Sequence, residues 1–370
     1  MKKTLLSFVC LMLISSIAIS QNSLTNFLKA GIDDAELLFG AYFEPYGKAL
    51  GTNLNGGWVN TAKTHNTLGF DITLTVTTSF IPEVDQTFDI NGLNLQKFTL
   101  TDPAQHIAPT IGGYNDFGPH LDYYETEPST GIPIHIASIS TAPGSGYAFM
   151  PLPMLKAAVG LPLGFELMGR YMPTMKVIPD KDFEIGQWGI GLKHDLKQYL
   201  PFIKRVPVLH LSVMGAYSQL DISSPLNMQV YGNPFDETTD LVTTIPNYFD
   251  NQEFNLHAEG FTGNILASVN LPVVCFYGGL GFSKALTSVT LRGDYPITSY
   301  DFDGTYATNA YRVLRDEDIF TDPIDIEIES NDGLRYMLGM RIKLALLTLH
   351  VDYTYANYNV LSAGVGISFR

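Results

Sequence analysis

The sequence predicts an all-β fold, a transmembrane antiparallel β-barrel of 12–14 strands whose short helical N-terminal segment is placed to plug the lumen. Three observations predict it. The closing stretch, Leu334 to Arg370, alternates apolar and polar residues with period two in three successive runs. Period two puts alternate side chains on opposite faces of a sheet, and runs of about 10 residues cross a bilayer at a tilt. Hydrophobic residues make up 45% of the chain and charged residues 16%, yet no stretch after residue 20 holds ~18 consecutive apolar residues. The connections between strands also alternate short and long, as in barrels with short periplasmic turns and long extracellular loops.

Residues 1–20 read as a secretory signal peptide. Lys2 and Lys3 form a basic start, Leu5 to Ile17 an apolar stretch, and Ala18-Ile19-Ser20 a small-residue cleavage site before Gln21. Its removal takes away two lysines and no acid, so the formal charge goes from −15 to −17. So acidic a chain excludes nucleic acid as a partner. Cys275 is then the one cysteine left, flanked by Val274 and Phe276, and reads as a small buried or lipid-facing residue.

Residues 21–53 form the N-terminal helical segment. Leu24, Phe27, Leu28, Ile32, Ala35, Leu38 and Phe39 recur at three- and four-residue spacings with Asp33, Asp34 and Glu36 between them. The candidate gate is drawn from this segment: Asp33, Asp34, Glu36, Tyr42, Phe43, Glu44 and Tyr46. The barrel proper is expected over 54–370, its first strand at Trp58 to Ala62. The cleanest strand follows, with Leu68, Phe70, Ile72, Leu74 and Val76 on one face and Asp71, Thr73, Thr75 and Thr77 on the other. Asn91-Gly92 predicts a hairpin joining 87–90 to 93–100. A long loop at about 101–147 is broken by six prolines.

Further strands are expected over 154–159, 165–172, 183–193, 208–219, 254–269 and 275–290, with loops at about 221–251 and 293–332. A phase change at Gly260-Phe261 suggests a bulge. Eleven wall strands are directly legible, and the even-number rule for single-chain barrels raises the expectation to 12–14. The terminal strand, ending in Phe369 and Arg370, must pair with an early strand near Trp58 to close the cylinder.

With apolar faces toward lipid, the opposite faces line the lumen. They carry Asp71, Glu166, Arg170, His257, Arg335, Arg341, His350 and Asp352, together with His210, Glu253, Glu259 and Lys343. Both signs occur, so wall charges can pair and fill a small barrel. No serine, histidine and acid are brought together by spacing, and no metal-ligand spacing stands out. No catalytic residue, metal or cofactor is therefore assigned.

The run Gly57-Trp58-Val59-Asn60-Thr61-Ala62-Lys63-Thr64-His65, followed by Leu68-Gly69-Phe70-Asp71, resembles the N-terminal signature of an uncharacterised family of Gram-negative outer-membrane barrels. So does Trp188-Gly189-Ile190-Gly191-Leu192-Lys193-His194-Asp195, continuing to Pro201. The likeness extends from about residue 30 to the C-terminus. More distantly, the chain is similar to the long-chain fatty-acid transporters of the outer membrane, which have a 14-stranded barrel with an N-terminal hatch. Asp33 to Gly51 holds the place of that hatch. Glu44-Pro45-Tyr46-Gly47 keeps the proline of its Asn-Pro-Ala motif and lacks the asparagine and alanine, so no fatty-acid site is carried over. These resemblances imply an outer-membrane location and contact with outer-membrane lipid; the aromatic-ended last strand, Leu361, Ala363, Val365, Ile367 and Phe369, resembles the terminal pattern read by the barrel-assembly machinery. The expected function is a gated channel for small hydrophobic solutes; the alternative is a structural or partner-binding barrel of an envelope assembly.

Overall fold

The computed structural model describes residues 27–28, 31–127, 130–178, 181–226, 251–296, 299–302, 310–313 and 319–369. The signal segment and most of the expected loop at 221–251 lie outside the described residues. Within them the wall is a closed antiparallel barrel of ten strands. These are β1 (Phe70–Phe80), β2 (Phe149–Gly160), β3 (Phe165–Ile178), β4 (Lys181–Asp195), β5 (Leu209–Pro225), β6 (Glu253–Asn270), β7 (Val274–Arg292), β8 (Ile324–Leu344), β9 (Leu347–Tyr355) and β10 (Asn359–Phe369). Each strand pairs with the next, and β10 closes on β1 from Phe70↔Phe369 to Phe80↔Asn359.

Ten strands replace the expected 12–14, for two reasons. Trp58 to Ala62 is not a strand; it runs inside the lumen, where Trp58, Val59 and Ala62 are all buried. The closing strand therefore pairs with Phe70–Phe80 rather than near Trp58. The predicted hairpin is also absent. Ile90–Leu93 is a 3-10 turn, Thr87–Asp89 pairs with Ile107–Pro109, and Phe98–Leu100 joins a three-stranded sheet with His120–Thr126 and Pro133–Ser140. That sheet occupies much of the stretch expected to be irregular, because its prolines fall at strand ends and between strands.

The wall is uneven in height. β1 has 11 residues and β9 has 9, whereas β5 to β8 have 17 to 21. About 10 residues cross a bilayer, so β5 to β8 rise past it toward the end that carries the long connections. There the outward faces turn polar. His257 pairs outward with Asp221 at 2.6 Å, and the Tyr217 hydroxyl donates to Glu259 at 2.7 Å. His257, Glu253 and Glu259 thus stand on the outer face and not in the lumen. β6 has no bulge at Gly260-Phe261; its register to β5 and β7 is continuous. The apparent phase change arises because Phe254, Leu256 and Ala258 point inward at this height, against apolar contents. The register shift lies instead in β8 opposite Ser283/Lys284.

Those contents are α1 (Ile32–Asn55), with 16 of its 24 residues buried. Asp33 and Asp34 suit the positive end of the helix dipole. The apolar stripe Leu38, Phe39, Tyr42, Phe43, Tyr46 and Leu50 packs on inward residues of β2 and β4 to β8. A helix buried on nearly all sides must be apolar nearly all round, which explains the mixed spacing of the sequence.

Candidate functional site

The site is the lumen and the segment that threads it. Asp34 anchors the segment at the long-loop end. Its carboxylate accepts from the backbone N–H of Gln96 (2.6 Å), Lys97 (2.9 Å) and Phe98 (2.8 Å). The Tyr42 hydroxyl donates to the Pro143 carbonyl at 2.8 Å, and the Tyr42 carbonyl accepts from Ile111 N–H at 3.1 Å. The loops at 81–148 therefore lid the helix. Phe43 stacks on Phe39 at 4.6 Å and packs on Phe254. Tyr46 is buried, Asp33 is exposed, Glu36 is half-buried, and Glu44 is a surface partner of Lys48 at 2.6 Å.

The helix C-terminus lies mid-lumen and leaves carbonyls without helical partners. Its last turn has no basic residue of its own. The wall supplies them. Arg170 of β3 donates to Leu54 O at 2.9 Å and to Gly56 O, Arg335 of β8 donates to Asn55 O at 3.2 Å, and Ser218 of β5 donates to Leu54 O. The Arg170 guanidinium also lies 3.8 Å from the Trp58 ring centroid. Two arginines at the negative end of the helix dipole are in the favourable place for cations.

From Gly57 to His65 the chain descends against β2 to β6. Lys156 donates to Trp58 O at 3.0 Å, Lys193 donates to Thr61 O and Lys63 O, and Ala62 N–H donates to Ser268 Oγ. At the short-turn end Glu166 gathers the His65 backbone N–H (2.9 Å), His65 Nδ1 (2.8 Å) and Lys193 (2.7 Å). Asp71 meets Arg341 at 3.5 Å, and Asp352 accepts from the Tyr277 hydroxyl at 3.0 Å. His350 is buried on the inner face of β9 beside Arg341 of β8. Of the residues expected to line the lumen, Asp71, Glu166, Arg170, Arg335, Arg341, His350 and Asp352 face it; His257 does not.

Sequence reasoning missed Lys156, Lys193, His65 and Trp58. Lys156 and Lys193 sit at inward parity on their strands, so alternation could have found them. Trp58 and His65 lie in irregular chain, where no period exists to place a side chain. His65 Nε2 lies 3.2 Å from Ser368 Oγ, which completes a serine–histidine–glutamate line with Glu166. Ser368 is 1% exposed, and Glu166 is bonded to Lys193, so this line holds the segment to the wall rather than presenting a nucleophile to solvent. Among the described residues no cluster of three or more metal-ligating side chains forms.

One seam in the wall differs from the others. β2 and β3 share only the pairs from Lys156↔Arg170 to Gly160↔Glu166, whereas β1 and β2 pair along their whole length. Above Lys156 the two strands part. Pro151 and Pro153 of β2 and Pro173 of β3 sit in the parted stretch, and β3 is bulged toward β4 between Met172 and Met175. Proline offers no N–H to a ladder. Inside the barrel at that height, Met150 and Leu152 of β2 and Phe183 and Ile185 of β4 border a cavity of about 20 Å³ beside Phe43 and Leu50. The lining of this cavity is almost entirely apolar.

An outward apolar belt, a closed antiparallel wall and charge turned inward behind that belt define a β-barrel of the outer-membrane type. The chain belongs to the family of unknown function DUF6588, whose model matches residues 1–369. No curated protein sequence matches it. Solved structures similar to it include the translocator domain of the autotransporter NalP from Neisseria meningitidis, at 10% identity over 83% of this chain and 90% of that one, TM-score 0.27. A TodX monoaromatic hydrocarbon channel mutant is similar at 10% identity over 88% and 75%, TM-score 0.24. The Ralstonia pickettii toluene transporter TbuX is similar at 10% identity over 89% and 99%, TM-score 0.16.

Proposed function

We propose that this is an outer-membrane barrel, exported through a cleaved signal peptide and inserted by the barrel-assembly machinery, which acts as a gated channel for small hydrophobic solutes and is closed in this conformation. The observation that carries the reading is the parted seam between β2 and β3 beside an apolar upper lumen. A solute dissolved in lipid would enter sideways there, against Phe43 and Leu50 of α1. Onward passage requires the clamped stretch 54–65 to move, so that stretch is the gate. Asp34 and Tyr42 fix the far end of the segment, and the bonds from Arg170, Arg335, Lys156, Lys193 and Glu166 to 54–65 are the latch that must release.

The test restores the missing ladder donors. Pro151→Thr and Pro153→Thr in β2 with Pro173→Thr in β3 supply an N–H at all three positions, so that β2 and β3 can pair above Lys156. Accumulation of a hydrophobic dye by cells carrying this variant should fall to the level of cells lacking the protein. Uptake equal to that of the unaltered protein would remove the seam from the route. The second reading, a structural or partner-binding barrel, draws support from the filled lumen. It predicts that cells with and without the unaltered protein take up the dye equally.

A further inference from the structure

The outer surface of the same seam, nearer the short-turn end, carries a groove. It has a volume of about 540 Å³, within the range of small-molecule sites, and an almost entirely apolar lining. Its floor is the cross-strand pair Ala157↔Gly169, and its sides are Phe70 and Ile72 of β1 and Trp188 and Ile190 of β4. Elsewhere on this face the outward positions of β1 and β4 hold large side chains such as Leu74 and Leu192. The groove is one side chain deep because its two central residues are alanine and glycine.

Below the groove lies the basic rim of an acidic protein. The connection after β4 includes α2 (Pro201–Lys204) and carries Lys197, Lys204 and Arg205, against Asp195 at the end of β4. Over the whole chain acids outnumber bases 37 to 22. Lys204 and Arg205 are exposed, and their side chains make no hydrogen bond or ion pair among the described residues. Around them Phe202 is 86% exposed, Tyr199 65% and Leu163 of the neighbouring turn 77%. Gln198 ties the two turns together by donating to Leu163 O at 3.0 Å. Exposed aromatics beside unpaired cations are the composition of a surface that sits at the headgroup boundary of an anionic leaflet.

We infer that groove and rim together bind an anionic glycerophospholipid of the leaflet at the short-turn end, one acyl chain lying over Ala157 and Gly169 and the phosphate facing Lys204 and Arg205. The site stands on hydrocarbon surrounding the apolar belt and on charge complementarity at its lower edge. It rests on the reading of the chain as a membrane-spanning barrel and does not depend on transport. The bound lipid would stand at the foot of the β2–β3 seam.

Trp188, on the groove wall, reports on it directly. The other tryptophan of the chain is Trp58, inside the lumen. The full mature protein is reconstituted in vesicles of phosphatidylcholine containing either brominated phosphatidylglycerol or brominated phosphatidylcholine at equal mole fraction, and tryptophan quenching is followed. Phosphatidylglycerol should occupy the groove about fivefold better than phosphatidylcholine. Lys204→Gln with Arg205→Gln should remove that preference while leaving quenching by both lipids. Gly169→Leu should lower quenching by both, with folding verified by heat-modifiable gel mobility in each variant. Equal quenching by the two lipids in the unaltered protein overturns the site. A preference that survives loss of both cations overturns the headgroup assignment. An absence of quenching by either lipid overturns the membrane-barrel reading itself.

Discussion

Arg170 ties the barrel wall to the threaded segment at three points. Its guanidinium donates to two carbonyls, Leu54 O and Gly56 O, at the end of α1 and covers the Trp58 ring. Without Arg170, Leu54 O keeps its bond from Ser218, whereas the buried Gly56 O loses its donor, and a buried acceptor left unmade costs about 1–3 kcal/mol. Arg170→Ala should therefore destabilise the folded barrel by about 1–3 kcal/mol, read as a lower temperature for the loss of the compact, heat-modifiable form on gels. Arg170→Lys should recover only part, because an ammonium cannot hold two diverging carbonyls with a planar fork and lie flat on an indole. Equal stability of Arg170→Ala and the unaltered protein would mean that the clamp is not what holds the segment.

At the scale of elements, the helix and the wall approach each other through glycines. A Cβ built on Gly51 would lie 2.6 Å from the Ala285 Cβ of β7, and one on Gly47 would lie 2.8 Å from Ile328 of β8. One on Gly40 would meet Ile326 at 3.9 Å, an ordinary contact. Alanine favours a helix over glycine by about 1 kcal/mol, whereas overpacking a core costs about 1–3 kcal/mol. Gly40→Ala should therefore stabilise, and Gly51→Ala should destabilise. Ala285→Gly alone should destabilise, whereas in the Gly51→Ala background it should restore stability, a sign reversal that thermal unfolding of the unaltered protein, the two single variants and the double variant would reveal. A fully additive double mutant would deny the contact.

Over the whole molecule the decisive feature is the direction in which the lumen is threaded. The segment enters at the long-loop end, where Asp34 is bound by residues 96–98, and leaves at the short-turn end, where His65 meets Glu166. β1 then climbs back toward the long loops. Gly31 therefore faces the same side as the long connections. A protease site inserted at Gly31 should be cut on intact cells as readily as one at Gly92. A site at the turn 345–346 should be cut only after the outer membrane is permeabilised. Protection of the site at Gly31 would reverse the threading.

Much of this barrel is legible in the sequence, and the illegible parts share one cause. On β1, β9 and β10 a wet or polar interior faces an apolar exterior, so polarity alternates with period two and both strand and orientation can be read. On the upper parts of β5 to β8 the helix makes the interior apolar, while the exterior rises past the lipid and turns polar. Alternation survives there with its meaning inverted, which is why His257 reads as lumenal and stands outside. Trp58 to Ala62 reads in the sequence as a wall strand and is packed coil in the lumen, since five residues with no clear period can be either.

By itself the sequence determined that the chain is a β-barrel with an N-terminal helix, because side-chain period and composition are local properties of the chain. Only the tertiary structure decided that ten strands close the wall, that β10 seals against Phe70–Phe80, and which way the segment threads. It alone showed that β2 and β3 part above Lys156. Those outcomes depend on which distant residues meet, Arg170 with Leu54 or Asp34 with Phe98, and no local pattern encodes a partner more than a hundred or even sixty positions away.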